Sequence, residues 1–152
     1  NPLYLIAEGL EKPGNLGAIL RTADVAGVTG LILCDSHTDI YNHNVIHASR
    51  GAFFTVPMAR TSSAAAIQWL KERGIQILSA SPDAPRLYSD INLGGPTAIA
   101  VGAEHMGLSA SWLLETLIKI PMTGQVDSLN VAQTASILIF EAVRQRFAAK
   151  QS

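Results

Sequence analysis

Five polar side chains stand where they could act on a bound substrate: Asn15, Arg21, Glu104, Ser128 and Asn130. Arg21 lies among apolar neighbours at helical spacing. Its guanidinium could serve as a surface ion-pairing group or grip a phosphate with two parallel hydrogen bonds. Asn15 and Asn130 each fall near the start of a helical pattern, where an amide side chain caps backbone N–H groups or positions a ligand. Ser128 could bond a substrate or only its own turn. Glu104, near the start of a short helix, complements the positive end of the helix dipole. No metal centre is expected: His43 and His47 are four residues apart and could share a helix face, but no third ligand accompanies them. Arg50 and Arg60 could contact phosphates or be ordinary surface charge. Cys34 closes the apolar run Leu31-Ile32-Leu33 and reads as a buried structural thiol in a reducing cytosol.

These residues need a scaffold, and the hydrophobic pattern supplies one. Residues 3–7, 30–34, 75–79, 97–101 and 117–120 are short apolar runs bounded by turn residues and read as buried strands. A further short strand is expected at 53–56, ended by Pro57. Leu16, Ile19, Leu20, Ala23 and Ala26 recur at helical spacing before Gly27, a residue suited to closing a helix. Ser62 and Ser63 can cap a helix running to about residue 73. A short helix follows Ser109, and a last one begins near Asn130, turning Val131, Ala135, Leu138, Ile139, Ala142 and Val143 inward. Its later stretch EAVRQR, 141–146, reads as a helix-surface pattern. Near-continuous apolar strands separated by helices predict an α/β domain with a parallel sheet covered on both faces.

The 152 residues suit one domain, expected over 1–152, and 48% hydrophobic against 15% charged residues argues for a filled core and against disorder. No apolar run is long enough to span a bilayer, and no secretory signal pattern opens the chain. No membrane partner is therefore expected, and a cytoplasmic location is. The net charge of −1 lacks the basic excess usual in a protein that binds nucleic acid unaided. Because the chain opens at Asn1-Pro2 directly into a strand, it reads as a fragment whose N-terminal segment, where a substrate-binding part would lie, is missing.

In parallel α/β sheets, ligands bind beyond the carboxyl ends of the strands. The segments 8–21, 79–85, 102–109 and 121–130 fall there, each rich in Gly, Pro, Ser or Asn. The dinucleotide fingerprint GxGxxG is absent. A dehydrogenase would also need an acid about twenty residues after such a loop, and Asp24 and Asp35 follow none.

Three segments are more specific together than any one alone: NLGAILRTA at 15–23, GAEHMGLS at 102–109 and IPMTGQVDSLNVA at 120–132. In order and spacing they resemble the three motifs of the SpoU/TrmH family of RNA ribose 2′-O-methyltransferases, a likeness covering nearly the whole chain. The resemblance implies a Rossmann-like SPOUT fold whose C-terminal segment forms a deep trefoil knot, a topology that hydrophobic periodicity cannot reveal. It also implies a homodimer, S-adenosyl-L-methionine as cofactor, and ribosomal or transfer RNA as substrate. By position, the resemblance implies that Ala80 or Ser81, then Gly102, Ile120, Met122 and Leu129, would contact the cofactor. Arg21, Asn15, Glu104, Ser128 and Asn130 would form the catalytic set. A free guanidinium is a poor base at neutral pH, so Arg21 suits a phosphate clamp better than proton abstraction. A non-catalytic RNA-binding or assembly module of the same fold would show erosion of these polar positions, and all five are present.

Overall fold

Strands form where the apolar runs lie, because a parallel sheet covered on both faces leaves no strand face for water. The computed structural model describes residues 1–103, 106–126 and 128–151. Its strands β1 (Leu3–Glu8), β2 (Gly30–Cys34), β3 (Met58–Thr61), β4 (Gln76–Ala80), β5 (Arg86–Leu87), β6 (Thr97–Gly102) and β7 (Thr116–Lys119) make a seven-stranded sheet among these residues. The order is β3-β2-β1-β6-β4-β7-β5, and every pairing is parallel.

Alternation along β1 divides the core into two layers. Leu3, Leu5 and Ala7 join the layer formed with α1 (Pro13–Ala26) and α5 (Val131–Lys150), through Leu16, Ile19, Leu20, Leu138 and Ile139. Ile6 faces the other layer, under α3 (Ser63–Glu72) and α4 (Ala110–Leu113), with Ala66, Leu70 and Trp112. Each fully buried aliphatic side chain contributes roughly 1.5–3 kcal/mol.

Most helix boundaries follow the capping signals. Ser62 caps α3 by accepting the Ala65 N–H, Asn130 caps α5 by accepting those of Ala132 and Gln133, and Gly27 closes α1 in the left-handed conformation. Asn15 differs: α1 starts at Pro13 after Lys12, so Asn15 lies inside the first turn and the N-cap position falls to Lys12. Proline at the first helical position has its φ set for the helix and lacks an N–H that would need a partner, which moves the start forward. Gly17 is fixed by packing. A Cβ there would sit 2.5 Å from the Ala48 Cβ, because α2 (His43–Ala48) crosses α1 at that point.

Two local expectations fail, and one strand had no sequence signal. Residues 53–56 form no strand; Ala52–Phe54 is a 3-10 turn, entered through Gly51 at φ +92°. Phe53 meets Tyr41 and Phe54 edge to face, so these aromatics pack on one another. β3 begins only past Pro57, which has no N–H to give a ladder. The two-residue β5 is too short and polar to leave a hydrophobic pattern. Finally, EAVRQR is no plain surface. Glu141 is buried, and Gln145 accepts the Leu93 N–H and donates to the Ile91 carbonyl. Arg146 donates to the carbonyls of Asn1, Pro2, Leu93 and Gly95. No helix of the described residues is long and apolar enough to cross a membrane.

Candidate cofactor and active site

The carboxyl ends of β4, β6 and β7 open into a cavity of about 550 Å³. That lies within the roughly 300–1,000 Å³ usual for small-molecule sites. Ala80 and Ser81 leave β4 into its wall, where the Ser81 N–H donates to the Ile118 carbonyl at 2.9 Å. Gly102 ends β6, and the chain folds back so closely that a Cβ on it would lie 2.4 Å from the Gly107 carbonyl carbon. Only glycine permits that approach. Ile120, Met122 and Leu129 complete an apolar flank.

All six residues that the resemblance assigns to cofactor contact therefore line one cavity, and Ser128 lines it with them. Asn130 sits between Leu129 and Val131, both in the wall, and its Nδ2 donates to Asn15 Oδ1 at 3.1 Å. The first and third motifs thus meet beside the cavity. Arg21 does not line it; it is exposed on α1, six residues beyond Asn15. Glu104 lies outside the described residues.

Sequence reasoning missed other parts of the wall. Thr134 and Leu138 follow Asn130 at intervals of four, so helical spacing could have flagged them. Asp83 and Lys119 are the charged residues among the described lining, and nothing in their sequence setting distinguishes them. Cys34 is buried, and its thiol is pushed up to about 12, first by desolvation and then by the nearby Asp35 and Glu8 carboxylates. It is unsuited to nucleophilic work. His43 and His47 both lie on α2, and no group of three or more potential metal ligands occurs among the described residues.

A parallel sheet with a ligand-sized cavity beyond its carboxyl edge, walled by a glycine turn and the start of the last helix, defines an α/β protein of the small-molecule-binding class. Comparison narrows the class. The model of the SpoU rRNA Methylase family matches residues 2–140. A 23S rRNA (guanosine-2′-O-)-methyltransferase RlmB of Vibrio parahaemolyticus is 41% identical over 152 residues, covering 98% of this chain and 62% of the relative. The crystal structure of an RNA 2′-O ribose methyltransferase superposes with a TM-score of 0.90 at 44% identity, covering 96% of this chain and 57% of that one. An AdoMet-bound rRNA methyltransferase from Sinorhizobium meliloti gives 0.90 at 34% identity, covering 95% and 56%. The chain belongs to the SpoU rRNA methylase family. It spans about three-fifths of the length of these relatives.

Proposed function

We propose that this chain binds S-adenosyl-L-methionine in the cavity at the β4, β6 and β7 ends and serves its transfer of methyl to a ribose 2′-hydroxyl of RNA. The observation that carries the reading is convergence: Ala80–Asp83, Val101–Ala103 with Met106–Leu108, Ile118–Ile120, and Ser128–Leu129 with Thr134 and Leu138 come from segments far apart in sequence and wall one cavity. Relatives and structural neighbours named for RNA 2′-O-methylation and for bound AdoMet support it. The residues present fit the cofactor. Ile120, Met122, Leu129 and Leu138 offer an apolar bracket for adenine, while Asp83 and Lys119 offer opposite charges for an amino-acid end. Gly102 supplies a backbone approach that no other residue allows. When bound, S-adenosylmethionine supplies an electrophilic sulfonium methyl.

The chain's own residues must then orient the ribose hydroxyl and ease loss of its proton. Asn15 and Asn130, joined at 3.1 Å, hold an amide pair beside the cavity, and Ser128 adds a hydroxyl at its wall. Arg21 clamps the adjacent phosphate, and its field favours the developing alkoxide. Ribosomal RNA is the favoured substrate, since the RlmB relatives are named for 23S rRNA, and a cytoplasmic location follows from it.

We infer further that the C-terminal segment is knotted and that the protein pairs with a second copy. Strand order supports the first: β6 lies between β1 and β4, and β7 between β4 and β5, so late strands fill gaps between earlier ones. Exposed Val25 on α1 and Phe140 and Phe147 on α5 support the second, because these two helices pack together and carry apolar side chains outward. Isothermal titration with S-adenosylhomocysteine and with NAD tests the cofactor. Heat from the first alone is expected; heat from NAD and none from S-adenosylhomocysteine would sink it. Sedimentation showing only monomer at micromolar concentration would refute the pairing.

A further inference from the structure

One buried carboxylate has no part in the chemistry just described. Glu8 ends β1 on the α3 and α4 side of the sheet, 6% exposed. Its Oε1 accepts the Ser109 N–H at 2.7 Å. Its Oε2 accepts the hydroxyls of Ser109 and Ser63, each at 2.6 Å. These donors are neutral, and a carboxylate taken out of water without such bonds would be costly. Ser63 Oγ also lies 2.8 Å from Asp35 Oδ2 and accepts the Trp112 Nε1–H at 2.8 Å.

The cluster's position relative to the cavity gives it meaning. Glu8 pairs in register with Gly102, across the β1–β6 ladder. The chain leaves the sheet at Gly102, turns through the Ala103–Gly107 bridge, and comes back to Glu8 at Ser109. Between those points Met106, Gly107 and Leu108 form a wall of the cavity. Glu8 therefore holds the returning end of the wall beside its departing end. A carboxylate is suited to this because it only accepts, and three donors converge on it.

We propose that Glu8 is a positioning residue that sets cofactor affinity by holding Ser109 beside Gly102, so that the 106–108 wall keeps its shape. This rests on the S-adenosylmethionine reading of the cavity. Glu8 touches no reacting group, so its loss should raise KM for the cofactor and leave the methyl-transfer step nearly intact.

The test uses full-length protein and S-adenosylhomocysteine titrations, alongside single-turnover methyl transfer at saturating S-adenosylmethionine and thermal melting. Glu8→Ala should weaken S-adenosylhomocysteine by about tenfold or more, through loss of bonds to a charged acceptor and an N–H left without its partner. The rate at saturation should stay within about threefold. Glu8→Gln keeps one acceptor for the Ser109 N–H and should fall between Glu8→Ala and wild type, as should Ser109→Ala; both serve if Glu8→Ala does not fold. Asp35→Asn disturbs the far side of the same cluster and should lower the melting temperature without changing affinity. Unchanged affinity in Glu8→Ala or, failing that, in both Glu8→Gln and Ser109→Ala would overturn the proposal. So would affinity falling in step with melting temperature in Asp35→Asn. Wild-type protein that binds no S-adenosylhomocysteine would instead overturn the cofactor reading itself.

Discussion

Arg21 stands exposed on α1, outside the cavity lining, and this limits how it can act. A side chain that does not line the cofactor site should affect turnover far more than cofactor binding. If it clamps phosphate, Arg21→Lys keeps charge but loses the planar fork that grips two oxygens. Turnover should fall on the order of 10²-fold, comparable to losing an oxyanion-stabilising donor, with S-adenosylmethionine affinity unchanged. Arg21→Ala should be worse and should not recover at about pH 9, in single-turnover assays. A lysine variant near wild-type rate, climbing with pH, would favour a base instead. Cys34 gives a second test. Its folded pKa of about 12 lies above the ordinary 9.0, so the thiol contributes stability that is intact below pH 9 and lost as pH rises towards 12. Alkaline melting curves should therefore fall more steeply for wild type than for Cys34→Ala, and the native thiol should resist alkylation at pH 8. The thiol's burial was readable from its apolar run. Asp35 adjoins it in sequence, whereas Glu8, which also helps raise its pKa, comes beside it only through the β1–β2 pairing.

Helices show where local signals suffice and where they do not. Ser62 and Asn130 cap as their residue types demand, and the inward stripe of α5 follows its sequence spacing. Asn130→Ala should cost about 1 kcal/mol in urea melts, whereas Asn130→Asp keeps an acceptor at a helix N-terminus and should stay near wild type. Asn15 failed as a cap because Pro13 two residues earlier starts the helix first. The 53–56 strand failed because Phe53 and Phe54 carry strand propensity but pack on Tyr41 and each other. Gly17 offers a reversal of propensity. Alanine normally gains about 1 kcal/mol over glycine inside a helix. Here its Cβ would press 2.5 Å from Ala48 Cβ and 2.9 Å from the Val45 carbonyl. Crowding of that kind costs about 1–3 kcal/mol, so Gly17→Ala should lower rather than raise the melting temperature.

The α/β class, the parallel sheet and the motif order were legible in 152 residues, but the strand order was not. Inserting β6 beside β1, or β7 beside β4, depends on pairings between strands dozens of residues apart, which leave no local trace. The Arg146 contacts to Asn1, Pro2, Leu93 and Gly95 are hidden for the same reason, since a carbonyl acceptor has no residue signature. Likewise, the cavity is a product of assembly: Ala80, Gly102, Ile120 and Leu129 are unremarkable until four segments meet. Family resemblance named them because position relative to the motifs already encodes that meeting. The most direct measurement is methyl transfer itself. Full-length protein, S-adenosylmethionine carrying a labelled methyl, and 23S rRNA from cells lacking the enzyme should yield label on a ribose 2′-oxygen, located by nuclease mapping, and none with Gly102→Ala. Label on a base, label that persists when Gly102 is replaced, or no label on any RNA from cofactor-binding protein would contradict it.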